Sequence, residues 1–340
     1  MINQDNGISL NTLQEAVEEE LMKVVSVVRE DGTEELHHML AYHMGWEGER
    51  AGPEARGKRI RPILVLLASL AAGGDWEHAL PAAAAVELVH NFSLIHDDIQ
   101  DNSHLRRGRP TVWVKWGIPQ AINAGDVLLN LAFMAITRLE ETASPSIALH
   151  AHSILQTTCL KLTKGQYLDL SYQSRSDLSP QDYWPMVSGK TAALLAACTE
   201  LGALVAGANP FLCDLYRQFG NHLGLAFQAQ DDLLGIWGNS AFLGKSTESD
   251  LAEGKKSLPV LYGLSLNGPF ARRWRSGPIH LEEVPEMAAQ LDSEGARQYT
   301  QEQVARSTSL ALQALEDAHP TSVGKKLLSD LATALLYRQG

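Results

Sequence analysis

Cysteine is scarce in this sequence. Its three cysteines, Cys159, Cys198 and Cys213, are odd in number and show no C-x-x-C spacing. This pattern argues against a disulfide framework and against a zinc site, and it is typical of a reducing compartment. We therefore expect a cytoplasmic protein without structural disulfides.

Aromatic residues are also few, at 6 % of the 340 residues, although 45 % of the chain is hydrophobic. Much of the apolar content is Ala and Leu, which favour helices, whereas a β-sandwich needs Val, Ile, Thr and aromatics. The sequence lacks alternating strand patterns with hairpin dipeptides, fixed-period repeats and any Pro/Gly/Ser-rich linker. It therefore predicts an all-α fold in one large domain, residues 1–340.

Positive charge is scarce as well, and the formal net charge is -12. Nucleic acid and anionic membranes attract basic proteins, so neither is an expected partner. Four glutamates lie between residues 15 and 20, where a signal peptide needs a basic start and an apolar run. The apolar stretch from Thr191 to Ala208 contains Glu200 and has the Ala and Gly content of a buried bundle helix. We expect neither an export signal nor a membrane span.

Helices are predicted where apolar spacing follows a capping residue or a first-turn proline. These signals are a capping box from Thr12 to Glu15, prolines at Pro62, Pro81 and Pro119, an N-cap at Ser179, and an apolar helix from Leu212 to Ile236. A basic turn precedes Pro62, at a helix start where backbone N–H groups favour anions.

Three carboxylates, Asp97, Asp98 and Asp101, fall within five residues on a predicted helix. At about 100° per residue, Asp97 and Asp101 lie one turn apart on the same face. Two such charges about 4 Å apart repel by about 4 kcal/mol at an effective dielectric of 20, so a shared inward face needs a cation between them. Hard oxygen ligands without thiolates favour magnesium over zinc.

A solvated acidic helix surface is the alternative for this cluster. Its neighbours, such as Val86, Leu88 and Ile95, are apolar, so the helix is expected to be largely buried, and buried carboxylates need partners. A calcium loop is excluded because the alternate ligands and central glycine of an EF-hand are absent. The cluster therefore predicts a magnesium site.

A second acidic pair, Asp231 and Asp232, follows Gln228 near the end of another apolar helix. Basic residues concentrate in two turns, one from Lys58 to Arg61 and one from Arg106 to Arg109. Arginine clusters bind phosphate in a forked geometry. Two basic turns and two acidic helix faces predict a site for two diphosphates, one held through metal and one through guanidinium and ammonium groups.

These motifs resemble those of the trans-isoprenyl diphosphate synthase family, and specifically the bacterial geranylgeranyl diphosphate synthases, from about Gly57 to Pro259. The matching segments are the basic turn Gly57 to Pro62, the aspartate motif Asp97 to Asp101, the mid-chain motif Gly165 to Asp169, the pair Lys190 and Thr191, Phe227 and Gln228 before Asp231, and loop residues Gly244, Lys245 and Ser249 to Lys256. The resemblance implies a helical bundle of the isoprenoid synthase type around a central active-site cavity.

The same resemblance implies a prenyltransferase, usually a homodimer, that condenses isopentenyl diphosphate with an allylic diphosphate, with a geranylgeranyl product most expected. Magnesium, about three ions per active site, would be held by Asp97, Asp101 and Asp231. The residues implied to bind isopentenyl diphosphate are Lys58, Arg61, His90 and Arg107. Arg106 would contact the allylic diphosphate, and Lys255 lies in a loop that closes over the diphosphate.

Ionisation of the allylic diphosphate would give a carbocation, which the double bond of isopentenyl diphosphate attacks before a proton is lost to the departing diphosphate. The resemblance implies that Thr191, Gln228 and the backbone carbonyl of Lys190 stabilise this cation in an apolar cavity.

Two positions depart from the family pattern. Gly235 stands where the second acidic motif usually ends in aspartate, and Arg56 replaces the usual first glycine of the basic turn. Because Asp231 is the implied main ligand of that motif, the loss is expected to be tolerated, and an aspartate at position 235 is expected to alter activity little.

Three alternatives stay open: a farnesyl diphosphate synthase, a non-catalytic subunit of a heteromeric prenyl synthase, and a related terpene cyclase. The intact first motif and both basic turns argue against the non-catalytic subunit. A cyclase has no second substrate and would not need Lys58, Arg61 and Arg107. Consumption of isopentenyl diphosphate distinguishes a synthase from a cyclase.

The product length is expected to depend on Phe92, about one helical turn below Asp97, with the small Ser93 beside it. In the family a bulky residue at this position closes the floor of the elongation cavity, whereas simple core packing is the alternative. Phe92→Ala should therefore lengthen the products without abolishing condensation, as measured by chromatography after dephosphorylation. Products of unchanged length would assign Phe92 to the core.

Overall fold

The structure is a computed structural model that describes residues 9–238 and 250–336. The helices of its N-terminal half are α1 (Leu10–Val25), α2 (Glu34–His43), α3 (Pro53–Arg56), α4 (Ile60–Ala71), α5 (Leu80–Gln100), α6 (Val112–Trp116), α7 (Ile118–Thr137), α8 (Leu139–Thr142) and α9 (Pro145–Gln173). Those that follow are α10 (Pro180–Val187), α11 (Ala193–Val205), α12 (Pro210–Trp237), α13 (Leu258–Ser265), α14 (Pro269–Arg275), α15 (Val284–Ser293), α16 (Ala296–Asp317) and α17 (Ser322–Leu336).

Shorter elements complete the described part of the chain. They are 3₁₀ helices at Ser26–Val28, Trp76–Ala79 and Leu281–Glu283, a π-helical turn at Ser188–Ala192, and the strands β1 (Leu105–Arg106) and β2 (Arg109–Pro110). The two strands form one antiparallel pair, with Leu105 opposite Pro110 and Arg106 opposite Arg109. The prediction of an all-α fold is confirmed, and the sequence did not predict the two-residue ribbon.

Most helix starts follow the predicted signals. Pro81 and Pro119 lie in the first turns of α5 and α7, and Ser179 forms a capping box with Asp182 at the start of α10. α1 is different, because its N-cap is Ser9, whose hydroxyl accepts the backbone N–H of Thr12 at 3.1 Å. The predicted capping box that begins at Thr12 is therefore wrong, and the helix starts earlier because serine supplies the acceptor.

The described residues group into two compact units. The first unit draws on the described residues within 1–157, 197–214 and 320–324, and the second on those within 158–196, 215–319 and 325–340. The prediction of one domain over residues 1–340 is not tested by this grouping and stays a prediction.

The core of the first unit forms where α5 packs against α4 and α7. The N-terminal half of α5 is fully buried and rich in alanine, from Pro81 to Val89, so neighbouring helices approach closely. The backbone of Gly202 lies against the carbonyl of Val65 in α4, where an added Cβ would be only 2.3 Å from that oxygen. The alanines of α5 and Gly202 of α11 therefore allow close packing against the neighbouring helices.

Two apolar clusters form the core of the second unit. One includes Leu251, Phe270 and Leu291, and the other includes Tyr183 and Leu258. Because Leu251 and Leu258 are buried, both ends of the described loop segment between α12 and α13 are fixed by the core.

Cys159, Cys198 and Cys213 are unpaired thiols, and burial raises their pKa values to about 11, 12 and 11 respectively. Among the described residues, the stretch Ile118–Thr142 is long and apolar enough to cross a membrane by length and composition alone. Such a single helix is a weak indication, because 44 % of its most apolar window is buried and the core helix of a soluble protein passes the same test.

One buried ion pair joins three segments of the first unit. The Arg59 guanidinium donates to Glu18 of α1 at 2.7 Å, to Glu87 of α5 at 2.8 Å, and to the carbonyl of Met44 at 3.1 Å. The side chains of Arg59 and Glu87 are only 2 % and 3 % exposed. Arg59 therefore fixes the basic turn to α1 and α5.

Replacing Arg59 by Met should destabilise the protein by about 3–5 kcal/mol, because Glu18 and Glu87 would lose their guanidinium partner and keep only the neutral donors Trp46 and Asn91. The measurement is the free energy of unfolding in urea, with Arg29→Met as the control because Arg29 is exposed. A loss below about 1 kcal/mol, the value of an exposed pair, would contradict a buried role.

Candidate active site

The basic turn at the start of α4 contains Arg59 and two of the predicted substrate-binding residues, Lys58 and Arg61. Arg59 itself has φ 47°, in the left-handed region, and Lys58 before it is exposed. Arg61 lies in the first turn of α4, and its Nη1 is 3.1 Å from Nε2 of His90 in α5. The structure therefore brings Arg61 and His90 together, as predicted.

A tight hairpin carries the second group of arginines. Arg107 and Gly108, the two residues between its strands, have φ values of 52° and 71°, the signs of a type I′ turn. Arg109 is buried, donates to the carbonyls of Tyr42 at 2.8 Å and Glu47 at 2.6 Å, and lies over the Tyr42 ring at 3.9 Å. Arg109 therefore anchors the hairpin, while Arg106 and Arg107 extend from it.

Arg107 connects the hairpin to the basic turn. Its Nη1 donates to the carbonyl of Ala55 at 2.7 Å, and its guanidinium lies over Gly57, where an added Cβ would be 2.6 Å from Nη2. Gly57 also has φ 77°, which glycine adopts without strain. Arg107 and Lys58 line one cavity of about 910 Å³, together with carboxylates of α1 such as Glu15. Asp97 and Asp101 are not among the residues that line it.

The arginines create a strongly positive electrostatic environment in a protein of net charge -12. Burial lowers the pKa of His90 well below its usual value, and Arg61 and Arg107 lower it further. Burial together with Arg106 and Arg107 also lowers the pKa of His43. Both imidazoles are therefore neutral near pH 7, and the positive charge belongs to the arginines, which suits an anionic ligand.

The three aspartates of the first motif have different environments. Asp98 is buried and accepts a two-pronged bond from Arg106, with Nε 2.9 Å from Oδ2 and Nη2 2.8 Å from Oδ1. Burial raises the pKa of Asp98, and Arg106 acts against that shift. Asp97 is half-buried and Asp101, the C-cap of α5, is exposed. Arg106 therefore lies against the aspartate motif, and Asp98 has a protein partner.

Asp97 and Asp101 have the donor chemistry that magnesium requires. The N–H of Asp101 donates to the carbonyl of Asp97 at 2.8 Å, so the two residues are one helical turn apart as predicted. Within residues 9–238 and 250–336, no three His, Cys, Asp or Glu side chains form a metal-binding group on their own. Magnesium commonly takes one or two carboxylates and completes its shell with substrate phosphates and water, so the pair fits the ion.

Phe92 is half-buried on α5, and its ring meets that of His96 edge-on at 5.0 Å. His96 in turn lies 3.3 Å from the carbonyl of Ile122 and directly over Gly125 of α7, where an added Cβ would be 2.3 Å from its Nε2. The ring of Phe92 therefore has a fixed neighbour. Its role as a cavity floor stays a prediction.

In the second unit, three predicted side chains form one hydrogen-bonded chain. The hydroxyl of Thr191 donates to Oε1 of Gln228 at 2.8 Å, and Nε2 of Gln228 donates to Asp232 at 3.2 Å. Asp232 is 1 % exposed and also accepts the backbone N–H of Leu258 at 3.0 Å. Asp231 beside it is half-buried.

Lys190 and Thr191 lie in the π-helical turn between α10 and α11. Lys190 forms an ion pair with Asp169 of α9. Gly165 of α9 and Gly189 face each other, and a Cβ on Gly165 would be 2.1 Å from the backbone N of Lys190. The two glycines therefore let α9 contact the backbone of the π-helical turn, an irregularity that is frequent at functional sites.

Lys255 and Lys256 have separate partners. The Lys255 ammonium lies 3.4 Å from Asp232 and 3.1 Å from Asp250. Desolvation acts to lower its pKa, but these carboxylates raise it above the ordinary value. Lys256 donates instead to backbone carbonyls at the C-terminus of α9, including that of Tyr172 at 2.6 Å. The loop residues Gly244, Lys245 and Ser249 of the family resemblance lie outside the described residues.

A side chain at position 235 would require the side chain of Asp250 to move. A Cβ on Gly235 would be 2.5 Å from Oδ2 of Asp250 and 2.6 Å from its Cγ. An aspartate at position 235 would therefore overlap Asp250 and add a like charge to it. The expectation that this substitution is tolerated is revised on steric grounds.

The sequence did not identify Glu87 or His43 as residues of these sites, and it included Asp250 in the loop motif without giving it a partner. Glu87 balances the charge of Arg59, His43 lies among the arginines, and Asp250 binds Lys255. A glutamate within the otherwise apolar first half of α5 was the available signal for Glu87, because buried carboxylates need partners. Nothing local in the sequence indicates the position of His43 or the contact between Asp250 and Lys255.

Comparison with known proteins assigns the sequence to a family. Residues 51–276 match the polyprenyl synthetase family. The chain is 45 % identical over 237 residues to a (2E,6E)-farnesyl diphosphate synthase of Mycobacterium tuberculosis, which covers 69 % of this chain and 65 % of the relative. It is 44 % identical over 234 residues to a geranylgeranyl diphosphate synthase of the same organism, covering 68 % of this chain and 66 % of the relative.

The chain thus matches slightly less than two thirds of the length of these relatives. The crystal structure of a polyprenyl synthetase from Streptomyces coelicolor superposes with a TM-score of 0.86 at 34 % identity, covering 96 % of this chain and 100 % of that one. The fold is therefore that of the polyprenyl synthetases.

Gly165→Ala should destabilise the second unit by about 1–3 kcal/mol, because the new methyl group must separate α9 from the π-helical turn. The control is Lys164→Ala, an exposed neighbour on the same helix. Thermal unfolding of both variants measures the effect. A Gly165→Ala protein with the melting temperature of the wild type would contradict the close backbone contact.

Proposed function

The chain belongs to the polyprenyl synthetase family, and from that premise we propose that it is a prenyltransferase that joins isopentenyl diphosphate to an allylic diphosphate. The observation that carries the proposal is the bond between Arg106 and Asp98. Through it the arginine-bearing hairpin lies against the aspartate motif, in a protein whose charge is otherwise strongly negative. An anion-binding group beside hard oxygen ligands suits a diphosphate bound with a divalent cation.

The arginine and lysine side chains of the first unit are the proposed diphosphate ligands. Lys58, Arg61, His90 and Arg107 bind isopentenyl diphosphate, and Arg106 contacts the allylic diphosphate. Two facts support this assignment: Arg61 and His90 are in contact, and Lys58 and Arg107 share one cavity. A neutral His90 is compatible with it, because an imidazole can donate one hydrogen bond to phosphate without adding charge.

We propose that Asp97, Asp101 and Asp231 hold magnesium, about three ions per active site. Bound magnesium would neutralise the diphosphate leaving group. Asp97 and Asp101 suit this role because they lie one turn apart at the end of α5 and are less buried than Asp98, which is bound to Arg106.

In the proposed reaction the C–O bond of the allylic diphosphate breaks, and its electron pair leaves with the diphosphate. The electron pair of the isopentenyl diphosphate double bond forms the new C–C bond. The resulting cation then loses a proton to the released diphosphate. Thr191, Gln228 and the carbonyl of Lys190 are the proposed partners of the allylic cation. Because Thr191 donates to Oε1 of Gln228, the amide of Gln228 is held in one orientation.

A geranylgeranyl product is the proposed outcome, with a farnesyl product as the alternative, since relatives of similar identity carry both names. The half-buried Phe92 is the proposed floor. The ring of His96 contacts Phe92 and lies against α7, and this support of the Phe92 ring is consistent with the proposed role.

We also propose that the protein acts as a homodimer in the cytoplasm. Ile118, Ile122 and Met134 of α7 and Leu149 of α9 are large apolar side chains that are each at least 43 % exposed. Apolar surface of this kind favours association, and a second copy of the chain is the proposed partner.

Purified protein should consume isopentenyl diphosphate with an allylic primer and magnesium, and Asp97→Ala should lower kcat at least about 10²-fold while the fold persists. Charge stabilisation of the leaving diphosphate is lost in that variant. Radiolabelled isopentenyl diphosphate measures turnover, circular dichroism measures folding, and Glu77→Ala removes an exposed carboxylate of the same unit as a control.

Near-normal turnover of Asp97→Ala would contradict the metal assignment. Release of diphosphate from a prenyl diphosphate without uptake of isopentenyl diphosphate would indicate the cyclase. Activity that appears only after a second, different chain is added would indicate the non-catalytic subunit.

A further inference from the structure

Gly235 ends the second acidic motif without a carboxylate, yet a carboxylate lies against it. Oδ2, Cγ and Oδ1 of Asp250 would be 2.5, 2.6 and 2.8 Å from a Cβ on Gly235. Real Cβ atoms do not approach side-chain atoms that closely. The volume that a side chain at position 235 would use is therefore occupied by the carboxyl group of Asp250.

The backbone holds Asp250 at this place. Its N–H donates to the carbonyl of Gly235 at 3.2 Å, and its own carbonyl accepts the N–H of Lys255 at 2.9 Å. Leu251, the next residue, is fully buried. These contacts are made by backbone atoms and by the Leu251 side chain, not by the carboxylate.

The carboxylate has a different partner, the ammonium group of Lys255 at 3.1 Å. The same ammonium lies 3.4 Å from Asp232, which α12 fixes through bonds to Gln228 and to the N–H of Leu258. Lys255 is thus held between one carboxylate of the helix and one of the loop. Its side chain stays 43 % exposed, so it is accessible to a ligand.

We propose that Asp250 supplies the carboxylate that position 235 lacks, that it positions Lys255 for the substrate diphosphate, and that Gly235 is required because any side chain there would displace it. This inference rests on the proposed function, in which Lys255 contacts a diphosphate. Asp250 is a positioning residue, since it acts through Lys255.

Lys255 needs a positioning residue because the lysine side chain is flexible. Its four-carbon stem reaches many positions, and a bound anion gains more from an ammonium group that is already restricted to the right region. Asp232 alone gives one contact at 3.4 Å, a long distance for an ion pair, whereas the pair of carboxylates defines a position. Lys255 needs one carboxylate beside position 235, and a second one on residue 235 itself would overlap that of Asp250.

The geometry predicts that either position can carry that carboxylate, but not both. If Asp250 is shortened to alanine, an aspartate at position 235 would have its Cβ beside the volume that the Asp250 carboxyl group now fills, so its own carboxylate could use that volume. The four proteins to compare are the wild type, Gly235→Asp, Asp250→Ala, and the double variant Gly235→Asp/Asp250→Ala. Asp250→Asn keeps the shape of the side chain and removes its charge, and Glu282→Gln is the control because Glu282 is exposed in the same unit.

Two readouts are independent of turnover. The first is the acetylation rate of Lys255, measured by mass spectrometry at limiting reagent, with the exposed Lys164 as internal standard. The second is the Kd of inorganic diphosphate in the presence of magnesium, measured by calorimetry. Prenyl transfer is measured in parallel.

We expect Asp250→Ala, Asp250→Asn and Gly235→Asp to raise the acetylation rate of Lys255 and to weaken diphosphate binding, each on the order of tenfold, as for the loss of one charge-assisted hydrogen bond. The double variant should recover most of both properties relative to either single variant. A structural role for Asp250 alone would lower stability in Asp250→Ala without this recovery.

Wild-type values in Asp250→Ala or Asp250→Asn would overturn the inference, as would a double variant no better than Gly235→Asp. Tighter diphosphate binding in Asp250→Ala would also overturn it, because Asp250 would then compete with the ligand for Lys255. If the wild type binds diphosphate and transfers prenyl groups in these cases, the proposed function stands. If the wild type does neither, both fail together.

Discussion

The position of the basic turn depends on one buried cation. Arg59 contacts carboxylates from two helices, Glu18 and Glu87, and so joins α1, α4 and α5 at one point. Desolvation offsets most of the Coulomb energy of a buried pair, so its main effect is to specify the arrangement, while loss of one partner leaves an unpaired charge. Lys58 and Arg61 lie on either side of Arg59 in the chain, and their positions therefore follow from a buried residue that contacts protein groups.

The two acidic motifs divide their carboxylates in the same way. In each pair the second aspartate is buried, Asp98 at 2 % and Asp232 at 1 % exposure, and protein groups satisfy it. The first aspartate of each pair, Asp97 and Asp231, is only half-buried. Burying a carboxylate without partners is costly, so the second aspartate serves the fold and the first is better suited to a metal.

Much of the fold and the types of the site residues could be predicted from sequence, because they depend on local signals. Apolar spacing and first-turn prolines mark the helices, and the charge clusters mark the motifs. The hairpin at Arg107 was missed because its strands are only two residues long and its turn contains a single glycine. The roles of Arg59 and of Gly165, and the conflict at Gly235, depend on contacts with residues between 15 and 41 positions away, which periodicity does not encode.

The first unit concentrates positive charge within an acidic protein, and it does so without protonating its buried histidines. Burial, reinforced by the nearby arginines, lowers the pKa of His90 and keeps its imidazole neutral, so further positive charge does not accumulate where like charges already repel. A neutral imidazole can also accept the 3.1 Å bond from Arg61, which an imidazolium cannot. The fixed guanidinium charge and the neutral histidine therefore support each other, and the local field survives in a chain whose net charge is -12.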